Sequence, residues 1–296
     1  MQVVSGFEDM EAFEVLHPAE QHVPFVFNSP HSGRHYPEAF LNASRLDRLA
    51  IRRSEDAFVD ELFSGVTGLG APLLRACFPR AYLDVNREPY ELDPKMYEDR
   101  LPAYANSRSI RVAGGLGTIA RVVGEAQEIY RGRMSVREAL DRIETIYKPY
   151  HLTLRRLLAR THVNFGYAVL VDCHSMPSTI RSSDNGPRPD FILGDRYGTS
   201  CALALVDRAT EILRDMGYTV ARNKPYAGGF ITEHYGRPAK GLHALQVEIN
   251  RSLYMDEART DRNSGFEAFA ADLARFNEAL VALPDAGLIP DALAAE

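Results

Sequence analysis

The chain is short of cysteine, long apolar runs and positive charge, and each shortage removes a class of protein. Its three cysteines, Cys77, Cys173 and Cys201, are odd in number and widely spaced. They fit neither a disulfide framework nor a cysteine-based zinc motif, and each reads as a small buried apolar residue. No apolar stretch approaches the ~20 residues that cross a bilayer, so no membrane association is expected. The first residues carry Glu8, Asp9, Glu11 and Glu14 and lack the cationic start and apolar core of a signal peptide. A cytoplasmic location is the resulting expectation. With 34 Lys and Arg against 40 Asp and Glu, the net charge is -6, the wrong balance for a protein whose main partner is nucleic acid. Arginines do cluster at 52–53, 131–137 and 155–156, but among acids or helical apolar stripes, as on solvated helix faces. Internal repeats and low-complexity segments are also missing.

What is present describes a soluble α/β protein. The chain has 296 residues, 45% of them hydrophobic and 25% charged, which suits one domain spanning 1–296 with a sizeable core. Strand patterns recur at 25–28, 72–77, 81–86, 167–172, 191–194, 218–222 and 244–250. Helical periodicity is clearest over 135–159, where Pro149 is expected to kink or split the helix. Further helices are expected over 44–63, 199–216 (stopped by Gly217) and 266–283. This alternation specifies a mixed, mostly parallel sheet flanked by helices. The segment 88–117 is rich in Pro, Tyr, Arg and Gly and reads as a long functional loop.

Two histidines carry the chemistry. His31 follows an apolar run in Asn28-Ser29-Pro30-His31-Ser32-Gly33, and His174 follows another in Asp172-Cys173-His174-Ser175-Met176-Pro177. Open α/β sheets bind ligands at the carboxyl ends of their strands. One such histidine is commonly an ordinary hydrogen-bonded residue; two with the same local grammar point to a shared site, and neutral imidazole is the commonest metal ligand. A catalytic zinc takes about three protein ligands and an open position. The stretch from Ser54 to Leu62 offers a third: Asp56 and Asp60 lie one turn apart on a helix face, with Glu55 and Glu61 rotated off it. An acid that merely starts the helix is the plainer reading of Asp56. Glu248, in the strand pattern Leu245-Gln246-Val247-Glu248-Ile249-Asn250, would be partly desolvated and so suited to act as a general base. Arg80 and Arg87 flank the expected 81–86 strand. A guanidinium grips a carboxylate through a bidentate fork, so Asn86-Arg87 suggests a substrate with a free carboxylate. The Gly228-Gly229 pair allows close backbone approach, fitting a pocket wall near Tyr226 and Thr232.

In order along the chain, Asn28 to Gly33, Asp56 with Asp60, Asp84-Val85-Asn86-Arg87, Val171 to Pro177, Tyr226 to Thr232 and Val247-Glu248-Ile249-Asn250-Arg251 resemble the N-formylglutamate amidohydrolase family. The resemblance runs from about residue 20 to 257. It implies a phosphorylase/hydrolase-like fold akin to zinc carboxypeptidases and aspartoacylases, with one Zn2+ per chain. The imidazole ligands would be His31 and His174, and the carboxylate ligand an acid of the Glu55-Asp56 pair, Asp56 fitting the family spacing better. Glu248 would be the base, and Arg80, Asn86, Arg87, Gly229 and Thr232 the substrate contacts. The chain departs from carboxypeptidases in lacking a His-x-x-Glu pair at His31. The implied activity is removal of an N-formyl or other N-acyl group from a small-molecule N-acyl amino acid, with N-formylglutamate as leading candidate and histidine degradation as setting. The rivals are a related zinc deacylase or carboxypeptidase-like hydrolase of another amide, and a non-catalytic carboxylate-binding protein on the same fold.

Overall fold

The computed structural model describes residues 7, 11–181, 186–283 and 288. The chain divides into two compact units, one built from 1–14, 30–57 and 75–153, the other from 15–29, 58–74 and 154–296. Its principal strands are β1 (Phe13–Leu16), β2 (Phe25–Ser29), β3 (Leu73–Ala76), β4 (Ala168–Met176), β5 (Phe191–Gly194), β6 (Val220–Arg222) and β7 (Leu242–Asn250). They form a seven-stranded sheet in the order β1-β3-β2-β4-β7-β5-β6. β4 runs parallel to β2 and to β7, β5 is antiparallel to β7, and β6 is parallel to β5. The sheet is therefore mixed and mostly parallel, as the strand and helix alternation leads one to expect.

In the second unit the central strands are covered on both faces, which is why they read as continuous apolar runs. Every position of β4 is buried, and each fully buried Val or Leu there contributes about 1.5–3 kcal/mol of transfer free energy. The polar residues of these strands gather toward their carboxyl ends: Asn28 on β2, Asp172 and His174 on β4, Gln246 and Glu248 on β7, all buried. Register sets His174 directly across from Glu248, and Asn28 across from Asp172.

In the first unit α1 (Val136–Arg142) is capped by Ser135, whose hydroxyl accepts from the Glu138 N–H. It passes through a π turn, Ile143–Tyr147, into α2 (Lys148–Phe165). The disruption expected at Pro149 takes the form of this π turn, which ends beside Lys148-Pro149, where proline removes a helix donor. In the second unit α3 (Leu203–Asp215) stops before Gly217 at φ 94; α4 (Phe230–Tyr235) and α5 (Phe266–Val281) follow.

Two expected elements do not form. Residues 81–86 are a buried irregular turn rather than a strand, because the Asp84 side chain captures the Asn86 N–H at 2.8 Å and closes a local turn. The helix expected over 44–63 is broken into a 3-10 turn, Ala50–Ser54, and a single helical turn, Val59–Leu62. Asp47 accepts from the Leu49 and Ala50 N–H groups, and Phe58 sits at φ 66, a left-handed conformation that no helix continues through. Asp56 and Asp60 therefore do not share a helix face. The 88–117 segment is largely irregular, as expected, with the short helix Ile110–Ala113 capped by Ser109. Cys173 and Cys201 are buried and Cys77 half-buried, all three as free thiols.

Candidate active site

In the first unit, acidic and polar partners gather around His31. Past the end of β2, the His31 carbonyl accepts from the Asp56 N–H at 3.0 Å, and the Ser32 hydroxyl donates to the Asp56 carbonyl at 2.9 Å. These bonds hold the two segments in register. They bring Asp56 Oδ2 to 3.3 Å from His31 Nδ1. The opposite ring nitrogen, Nε2, lies 2.8 Å from Asp84 Oδ1. Asp84 also accepts from Arg80 Nε at 3.0 Å and lies 3.6 Å from Arg87 Nη2. Burial alone would raise the Asp84 carboxyl, but the Arg87 and Arg80 guanidiniums and His31 together hold it well below the usual carboxylate range.

Glu55 points elsewhere. It accepts from Tyr36 Oη at 2.6 Å and pairs with Arg52 Nε at 3.0 Å. Burial pushes its carboxyl up, partly opposed by those two partners and by Arg34. Of the Glu55-Asp56 pair it is Asp56 that joins the histidine.

In the second unit, His174 has a similar set of partners. His174 and Asp172 are separated by one residue on β4, so both side chains leave the same face. His174 Nε2 lies 2.9 Å from Asp172 Oδ2, and Asp172 Oδ1 accepts from Asn28 Nδ2 at 2.7 Å. Both histidines thus set Nε2 against a buried carboxylate.

Possible ligand atoms of His31, Asp56 and His174 all lie within 4.8 Å of one another, and all three residues are buried. The donor set fits a transition metal: two imidazoles and one carboxylate suit a borderline-soft ion. The carboxylate behind each imidazole fixes the ring's orientation, as outer partners of metal-ligating histidines do.

The other expected residues fall into two groups. Arg87 is buried; its Nε donates to the Leu116 carbonyl and its Nη1 to the Asn86 carbonyl, each at 2.8 Å. Burial depresses its guanidinium to about 10, with Asp84 opposing and Arg80 and Arg111 adding to the shift. Arg80 is the more accessible, its side chain 25% exposed. In the second unit Glu248 accepts from Gln246 Nε2 at 2.8 Å. Gln246 Oε1 in turn accepts from the Gly229 N–H at 2.8 Å and the Thr232 hydroxyl at 3.4 Å. Gly229 and Thr232 are therefore joined to Glu248 through Gln246. Asp84, Asp172 and Gln246 were given no roles by the sequence reading. The signal for Asp172 was there, since an acid two residues before His174 on one strand shares its face; Gln246 precedes Glu248 by the same spacing.

Two imidazoles and an acid, each imidazole backed by a buried carboxylate, on a mostly parallel α/β sheet, are the fittings of a metal-dependent hydrolase. The profile of the N-formylglutamate amidohydrolase family matches residues 23–255, and the chain belongs to that family. An N-formylglutamate deformylase of Pseudomonas putida is 32% identical over 82% of this chain and 86% of its own. That of Pseudomonas aeruginosa is 31% identical over 90% of this chain and 93% of its own. The crystal structure of an N-formylglutamate amidohydrolase from Ralstonia eutropha JMP134 superposes with a TM-score of 0.86 at 37% identity, covering 91% of this chain and 96% of that one.

Proposed function

We propose that this chain hydrolyses the formyl amide of N-formylglutamate to formate and glutamate, with one Zn2+ held by His31, Asp56 and His174. The observation that carries the reading is the buried His-Asp-His cluster in a chain that is over 30% identical to two N-formylglutamate deformylases across most of its length. Bound there, zinc would polarise the amide carbonyl and lower the pKa of water.

The chain's own groups do the rest. Asn86 and Arg87 bind a substrate carboxylate. Arg80, the more accessible guanidinium, faces either the second carboxylate or the oxygen on which negative charge develops. Glu248 accepts the proton of the attacking water and returns it to the amine as the carbon–nitrogen bond breaks. Gly229 and Thr232 form the pocket wall beside it. The family match crosses both units, which supports treating 1–296 as one domain. A cytoplasmic location and a place in histidine degradation belong to the same proposal and rest on the family resemblance.

The test is a panel of N-formyl and N-acetyl amino acids offered to the zinc-loaded protein, with release of the free amino acid measured before and after chelation. Turnover should be fastest with N-formylglutamate and vanish on chelation. Preference for another N-acyl amino acid would assign a related deacylase, and no turnover of any member would assign a binding protein.

A further inference from the structure

We infer that Gln246 is a positioning residue, one that fixes the orientation of the Glu248 carboxylate and ties it to the turn at Gly228-Gly229. The inference rests on the reading of Glu248 as the base. Both side chains belong to β7 and are separated by one residue, so they leave the same face of the strand. Both are buried, where a carboxamide is stable only with its oxygen and its nitrogen satisfied.

The orientation of the Gln246 amide follows from its partners. A backbone N–H can only donate, so the Gly229 N–H at 2.8 Å identifies the atom facing it as the Gln246 oxygen. The Thr232 hydroxyl donates to the same oxygen at 3.4 Å. The amide nitrogen is thereby turned to Glu248 and donates to Oε1 at 2.8 Å. With Oε1 held by a fixed donor, the carboxylate presents its second oxygen in one orientation.

The anchor at the other end of Gln246 is stiff. Gly228 has φ 117, and a Cβ there would stand 2.9 Å from the Thr232 side chain. On β5, a Cβ at Gly194 would come within 2.7 Å of the Ala227 backbone. The turn rests against positions open only to glycine, so it has little room to move, and Gln246 transmits that rigidity to Glu248. Without the link, the Glu248 carboxylate loses a buried donor that fixes the direction of Oε1. A misplacement of about 1 Å at a reacting group can cost on the order of 100-fold in rate.

The experiment is a double-mutant cycle on the full-length, zinc-loaded protein, read as formate release from N-formylglutamate. Gln246→Met keeps the size and removes all three side-chain hydrogen bonds. It should lower kcat by about 10- to 100-fold, with KM within about twofold and metal content unchanged. In the Glu248→Gln background the same change should cost less than about twofold, because a residue acting through Glu248 has nothing left to orient. If Gln246→Met does not fold, Gln246→Glu takes its place: it keeps the acceptor for Gly229 but, ionised, cannot donate to Glu248, and it should show the same loss and the same non-additivity. Wild-type kcat in the Gln246 variant, or equal losses in both backgrounds, overturns the positioning role while leaving Glu248 as the base. Near-normal turnover of Glu248→Gln overturns the base reading, and the positioning role with it.

Discussion

Replacing Asp84 with asparagine keeps its shape and removes its charge, and the consequences can be worked through from its four neighbours. Asp84 faces His31 Nε2 at 2.8 Å, Arg80 Nε at 3.0 Å, the Asn86 N–H at 2.8 Å and Arg87 Nη2 at 3.6 Å. In Asp84→Asn the two guanidiniums lose their shared counter-charge, and the new NH2 group meets donors. Breaking a buried pair from one side costs roughly 3–5 kcal/mol. Arg80 retains some water, its side chain being 25% exposed, so the lower end applies, about 3 kcal/mol. With a urea slope of about 3 kcal/mol per molar, the midpoint of the metal-free protein should fall by about 1 M at pH 7.

The pH dependence has a definite sign. Arg87, Arg80 and His31 depress the folded pKa of Asp84 against the effect of burial. Its stabilisation is therefore complete above the unfolded carboxyl value of about 3.9 and is lost as pH falls through the lower folded value. The gap between wild type and variant should stay constant from about pH 7 to 5 and close below about pH 4. Urea melts of chelator-stripped protein across this range measure it. Equal midpoints at pH 7 would refute the charge argument, and a gap that persists undiminished in acid would assign the effect to shape. Because Asp84 also fixes the orientation of the His31 ring, metal affinity should drop about 10- to 100-fold.

Three further outcomes are expected. His31→Ala and His174→Ala should each lose zinc on dialysis by elemental analysis, since each leaves two protein ligands of three, and Asp56→Asn should weaken binding more than Glu55→Gln; zinc retained at one equivalent in both histidine variants would remove the site. Glu248→Gln should keep fold and metal while kcat falls by at least ~100-fold, and near-normal turnover would return Glu248 to an ordinary strand residue. Arg87→Ala should erase most of the discrimination between N-formylglutamate and its α-amide, measured as a ratio of kcat/KM; undiminished discrimination would make Arg87 structural and shift the carboxylate contact to Arg80 or Arg251.

The sequence by itself determined the α/β class, most of the central strands and the two histidines. Buried parallel strands leave an unbroken apolar signature, and a histidine at the end of such a run is visible within a few residues. The same local reading went astray where side chains bond to nearby backbone. Asp84 turns an alternating 81–86 pattern into a loop by capturing the Asn86 N–H, and Asp47 and the left-handed Phe58 break the helical pattern of 44–63. Periodicity records which face is apolar, but not which donor a carboxylate meets. Family spacing favoured Asp56 over Glu55, and tertiary structure supplied the physical reason: Asp56 stands with His31 while Tyr36 and Arg52 claim Glu55. Tertiary structure alone placed Asp84 and Asp172 behind the imidazoles, and joined Gly229, Gln246 and Glu248 in one hydrogen-bonded line. Such contacts link segments far apart in the chain or side chains whose orientation depends on a distant donor, and a hydrogen bond depends on distance and angle in space, which residue order does not encode.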